Sequence, residues 1–148
     1  MRIVLIISLM ALMQLNLTAC SSSKSSKGSN LTATVGNNEL QGKRWELLSL
    51  QGNPIPTTLS KAFIYFGKDG ACNGNGSCNS FSGSYTVTGM KLKLGQMAST
   101  ERLCHEMATE DSFYGLMPKI DSYKIKNGQL YLLQGEKIIA QFKEVATP

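Results

Sequence analysis

Four cysteines, a single histidine and a short acidic run are the side chains in this sequence that could do chemistry. Cys72, Cys78, Cys104 and His105 offer the thiolate and imidazole donors of a closed zinc site, which takes about four ligands. Their spacing argues against one. Cys104 and His105 are adjacent, and the Cys72–Cys78 gap matches no familiar ligand pair. A cysteine nucleophile with His105 as its base fails for a similar reason, since neighbours on a strand face opposite sides. As the single histidine, His105 also excludes any triad that needs a second one. Glu106, Glu110 and Asp111 could be paired carboxylates for glycoside chemistry. They sit at the start of a helix-like segment, where capping and the helix dipole already account for acidic residues. The sequence therefore predicts no catalytic residue, no metal and no cofactor.

Cys20 belongs to a different chemistry. Leu17-Thr18-Ala19-Cys20 reads as a bacterial lipobox: an apolar residue, two small ones, then a cysteine. That thiol takes a diacylglycerol before cleavage frees its amine for a third acyl chain. Ahead of it stand one charge, Arg2, and an apolar run from Ile3 to Met13, the pattern of a signal peptide and too short for a permanent span. An ordinary signal peptide cut near Ala19 would leave Cys20 a bystander. The expectation is a signal peptide over residues 1–19, a lipidated Cys20, and a flexible Ser-rich tether over 20–37. Two or three acyl chains suffice for stable anchoring, so the membrane is an expected partner. Ser21 is not the Asp that often retains lipoproteins at the inner membrane, which places the mature protein on the periplasmic face of the outer membrane.

Residues 38–148 have the length of one domain. Cleavage removes Arg2 alone and leaves 14 basic against 10 acidic residues, a net +4. The lysines, among them Lys43, Lys91, Lys93, Lys124 and Lys126, are scattered and read as a solvated surface. No basic run interleaves with aromatic residues, so nucleic acid is excluded as a partner.

Short strands must position whatever function there is. Gly42–Leu50 alternates, with Trp45, Leu47 and Ser49 expected on one face. Ala62–Phe66 ends at Gly67-Lys68-Asp69-Gly70. Ser84–Val87 and Lys91–Leu94 flank a tight turn at Thr88-Gly89-Met90. Ser122–Lys126 runs into Asn127-Gly128, a strong hairpin signal. Gln129–Leu133 and Lys137–Phe142 follow across Gln134-Gly135-Glu136. Between them, Phe113, Leu116, Met117 and Ile120 recur at helical spacing, with Thr109 as a suitable N-cap and Pro118 as a stop. Strands of this length and spacing predict an antiparallel sandwich or small barrel carrying one short amphipathic helix.

One stretch is more specific. Gly76-Ser77-Cys78-Asn79-Ser80-Phe81-Ser82-Gly83-Ser84-Tyr85 reads G-x-C-N-x-F-x-G-x-Y, and Thr100-Glu101-Arg102-Leu103-Cys104 follows. With the Leu40-x-Gly42-x-x-Trp45 start, Glu110, Tyr123 and Leu130-Tyr131-Leu132, this order resembles the META domain, or HslJ-like, family over about residues 39–143. Two positions depart from its pattern: Arg102-Leu103 replace a Met-Ala pair, and Cys72 stands where an aliphatic residue is usual. The resemblance implies an all-β, lipocalin-like antiparallel barrel with one helix, exported or lipid-anchored, with links to heat response, and it carries no catalytic residue.

The motif residues Gly76, Cys78, Asn79, Phe81, Gly83, Tyr85, Thr100 and Cys104 read as fold-determining. The glycines would allow turns or a bulge, Asn79 would tolerate left-handed geometry and bond its own backbone, and Phe81 and Tyr85 would fill the core. In an oxidising compartment cysteines pair. The resemblance implies Cys78–Cys104, with Cys72–Cys104 the competitor and one thiol left over. The functional expectation is a non-enzymatic envelope lipoprotein, a structural or binding module related to stress with an envelope protein or lipid as partner. A carrier holding a small apolar ligand inside the barrel, or a pilot-like chaperone with an exposed apolar groove, is the alternative.

Overall fold

The computed structural model describes residues 39–56, 61–105 and 107–146. The signal peptide, Cys20 and the tether lie outside the described residues, as does Glu106. Nine strands run in the order β1 (Lys43–Leu50), β2 (Asn53–Pro54), β3 (Phe63–Phe66), β4 (Ala71–Asn75), β5 (Ser80–Thr88), β6 (Lys91–Ser99), β7 (Ser122–Lys126), β8 (Gln129–Gln134) and β9 (Lys137–Val145). Helix α1 (Ala108–Leu116) and a 3-10 turn at Met117–Lys119 separate β6 from β7.

Each strand pairs antiparallel with its neighbours, and β1 also pairs with β9, from Arg44↔Val145 to Leu50↔Ala140. This closes eight strands into a barrel, with β2 a two-residue flap folded back on the end of β1. Closure satisfies both edges of a sheet whose strands are too short to be stable alone.

Side chains fill the interior. Trp45, Ile64, Phe66, Leu92, Leu130, Leu132 and Phe142 are wholly buried, and the Trp45 indole N–H donates to the Leu40 carbonyl at 3.0 Å. The alternation expected on β1 holds through Trp45 and Leu47. A bulge between Leu47 and Ser49 against β9 then resets the phase, so Leu50 is buried and Ser49 is not. Asn127 and Gly128 have φ of 54° and 70°, as their hairpin requires.

β4 has no counterpart in the sequence reading, because Ala-Cys-Asn-Gly-Asn lacks β-branched and aromatic residues. It exists because β3 and β5 pair with it on both sides. Its small residues leave room for large ones opposite. A Cβ on Gly74 would stand 2.5 Å from the Phe81 ring. Gly83 sits where the β5–β6 register shifts, and a Cβ there would meet the Met97 sulfur at 2.3 Å.

One seam is thin. β6 meets β7 at a single register pair, Lys91↔Ser122, flanked by bonds from Leu92 N–H to the Asp121 carbonyl (3.1 Å) and from Tyr123 N–H to the Met90 carbonyl (2.9 Å). Beyond that point the chain opposite β6 is the 3-10 turn and α1 rather than a strand. The buried face of this helical segment, with Phe113, Leu116, Met117 and Ile120, covers the barrel end.

Two glycines give an opposed prediction. Gly83→Val should destabilise by about 2–4 kcal/mol through overpacking against Met97. Gly115→Ala, with open space around its Cβ, should stabilise α1 by about 0.5–1 kcal/mol. Urea unfolding followed by Trp45 fluorescence measures both.

Candidate functional site

Asn79 and Glu110 are each 2% exposed and bond to one another across 31 positions of sequence. One Glu110 carboxylate oxygen, Oε2, accepts the backbone N–H of Cys78 at 3.0 Å and of Asn79 at 2.6 Å. The other, Oε1, accepts Asn79 Nδ2 at 2.7 Å. The Asn79 amide also reaches the segment after β6: Nδ2 donates to the Arg102 carbonyl at 2.9 Å, and Oδ1 accepts Arg102 N–H at 2.7 Å and Thr100 Oγ1 at 2.8 Å. Tyr114 completes the cluster by donating its hydroxyl to the Asn79 carbonyl at 2.7 Å. A few ångströms away Cys78 and Cys104 form a disulfide, with Cα atoms 6.1 Å apart.

These bonds tie together the β4–β5 corner, the Thr100–Cys104 strap that continues from β6 beside it, and α1. Gly76 shows what the close approach demands. Its Cβ would stand 2.7 Å from Glu110 Cγ and 2.8 Å from the Tyr114 ring. The structure departs from the expectations for these residues. Gly76 admits the helix rather than a positive φ. Asn79 keeps ordinary backbone geometry and bonds Arg102 and Thr100, while Ser77 takes the positive φ, 113°. Glu110 does stand in the first turn of α1, as expected, but its carboxylate is buried and accepts from the corner. Met107 rather than Thr109 holds the N-cap position, without a side-chain bond. Glu110 partners residues more than thirty positions upstream, and no local pattern marks that.

The remaining candidates do not converge. Phe81 and Tyr85 lie within strand β5 and point into the core, where Phe66 meets Tyr85 edge-on at 5.0 Å. His105 and Asp111 are exposed. Cys72 is buried with its sulfur 3.9 Å from that of Met97, and burial pushes its thiol up to about 11, so it remains protonated and unreactive at neutral pH. Burial, with the Glu110 charge added, likewise pushes the Tyr114 hydroxyl up to about 12.

Beside the cluster lies a cleft of about 560 Å³. One wall is β6, from Lys93 through Leu94 and Met97 to Ser99; the other is Tyr114, Met117 and Ile120. Phe81 forms part of the lining, 5.7 Å edge-on from the Tyr114 ring. The barrel's own side chains occupy its centre, so open volume lies at its rim, in this cleft and in a second of about 630 Å³ lined by Lys91, Leu92, Lys93 and Ser122 among others.

The META domain model matches residues 38–146. The chain belongs to the META domain family. Its barrel-plus-helix fold recurs in solved structures. An NMR structure of a protein at 23% identity superposes with a TM-score of 0.59, covering 72% of this chain and 92% of that one. An NMR structure of a protein from Burkholderia xenovorans, 17% identical, gives 0.60 over 74% and 86%. The crystal structure of a DUF4847-family protein from Bacteroides vulgatus, 13% identical, gives 0.53 over 74% and 96%. No curated protein matches the chain. At these identities the likeness concerns the fold alone.

The cluster makes two predictions for this META domain. Glu110→Gln puts an amide N–H against donors and should destabilise by about 2–4 kcal/mol, and reducing the disulfide should remove about 3–4 kcal/mol, both by urea titration. Raised phenol and thiol pKa values mean the folded protein holds these protons more tightly than the unfolded chain. Stability should therefore be complete below about pH 9 and fall between about 10 and 12, with part of that loss absent in Tyr114→Phe.

Proposed function

We infer that this META domain is a lipid-anchored, non-enzymatic module of the cell envelope that offers its rim cleft to a partner. The observation that carries this reading is how the polar motif residues are used. Asn79 and Glu110 are buried and bonded to one another and to the Cys78 backbone beside the Cys78–Cys104 bridge, so the amide and carboxylate of the motif region are spent on holding the fold rather than offered to the cleft. The cleft itself has an apolar floor and open access, the features of a binding surface. The META domain is not a known enzyme family. Placement at the outer membrane, facing the periplasm, rests on the lipobox at Cys20 and on Ser21. A supporting role under envelope stress follows the HslJ-like resemblance.

Two experiments test the two halves. Growth with labelled palmitate should label the wild-type protein, and Cys20→Ser should abolish the label and release the protein from the membrane fraction. An unlabelled protein whose fractionation ignores Cys20 would remove the address. For binding, a photocrosslinker at Gln96, an exposed residue of the cleft wall, should capture an envelope component that the same group at Glu136 does not. Identical capture from both positions would count against the cleft.

A further inference from the structure

β6 is an unfinished strand. Its inner edge pairs with β5 from Lys91 to Ser99, but on its outer edge, among the described residues, register pairing ends at Lys91 and the last backbone bond is that of Leu92. From Lys93 to Ser99 the outer row of peptide groups faces the cleft rather than another strand. Sheet proteins protect such edges with lysines, prolines or a covering segment. Here the lysines, Lys91 and Lys93, stand at the end nearest β7, and Leu94-Gly95-Gln96-Met97-Ala98-Ser99 carries neither charge nor proline. α1 and the 3-10 turn stand back from this stretch far enough to leave the cleft open along it.

We propose that the outer edge of β6 is a docking site for an extended segment of another protein, which adds a strand antiparallel to β6 in the gap before β7. This rests on the reading of the cleft as a partner surface and names the chemistry of the partner. Backbone N–H and C=O groups of the segment complete the ladder that β7 leaves unmade. Side chains at alternate positions enter the floor formed by Phe81, Leu94, Met97 and Met117, so these positions are apolar. At the open end near β7, Lys91 and Lys93 are exposed, and among the described residues neither makes an ion pair. In the antiparallel sense the C-terminal end of the segment lies beside them, so an acidic residue belongs there, on the outward parity that Lys93 shares.

The probe is acetyl-Val-Thr-Val-Thr-Val-Glu-amide carrying a fluorophore, titrated against the full-length protein in detergent and read by anisotropy. Binding should saturate. Two N-methylated isomers, one blocked at the three valines and the other at the two threonines and the glutamate, separate a ladder from simple apolar contact. One isomer should bind like the parent and the other at least tenfold more weakly, because alternate residues of an added strand turn their N–H groups toward β6. Lys93→Glu, an exposed substitution, should weaken the parent about three- to fivefold and bring the probe ending in Lys above it.

Several results would overturn the proposal: no binding of any probe at about 1 mM, equal behaviour of the two isomers, or a dimer that forms in place of probe binding. So would binding seen only after residues 31–35 are deleted, since Leu31-Thr32-Ala33-Thr34-Val35 alternates and would then be the chain's own occupant. The assay needs no membrane address, so its failure is separable from failure of the palmitate test.

Discussion

The Glu110 carboxylate meets three N–H donors from Cys78 and Asn79 in a site closed to water, and the rest of the architecture follows from that contact. A buried carboxylate must be fully bonded to be tolerated, and those donors lie on the β4–β5 corner. Satisfying Glu110 therefore fixes α1 over one end of the barrel. Asn79, with both its amide atoms engaged, fixes the chain leaving β6 through Arg102 and Thr100. The disulfide closes the same corner covalently. With both ends so held, the segment from Thr100 to Asp121 crosses the rim as a helix and cannot run back along β6 as a strand. The thin β6–β7 seam and the cleft beside it are consequences of that anchoring.

This division separates stability from recognition. Asn79 and Glu110 are turned inward and used up in bonds to one another and to Cys78, Thr100 and Arg102. The residues that face the opening are ordinary: a lysine, a leucine, a methionine, small polar groups and main chain. Recognition built on backbone groups needs no conspicuous side chains, so a surface of this kind leaves little trace in a motif. The same logic explains Cys72. In the core beside Met97 it is a small apolar filler rather than a reactive thiol.

Much of the fold was legible because the forces that set it are local. Asn127-Gly128 reports a hairpin through its tolerance of positive φ, and Phe113, Leu116, Met117 and Ile120 report a helix face through their spacing. β4 was invisible because its pairing comes entirely from β3 and β5, and the bulge after Leu47 was invisible because it answers to β9. The candidate site fared similarly. The motif residues stood out, yet their bonding did not, since Glu110 and Asn79 are thirty-one positions apart and each has a plausible local explanation. The cleft was least legible, because it is defined by where a strand is missing.

Native-state amide hydrogen exchange on Glu110→Gln, with the disulfide kept intact, tests the anchoring most directly. The account predicts that Ala108–Leu116 and Thr100–Cys104 lose protection through local opening, while β1, β8 and β9 give up only what the drop in global stability takes from every amide. Uniform loss across the barrel, or unchanged protection in α1, would contradict it and would leave the helix held by its apolar face alone.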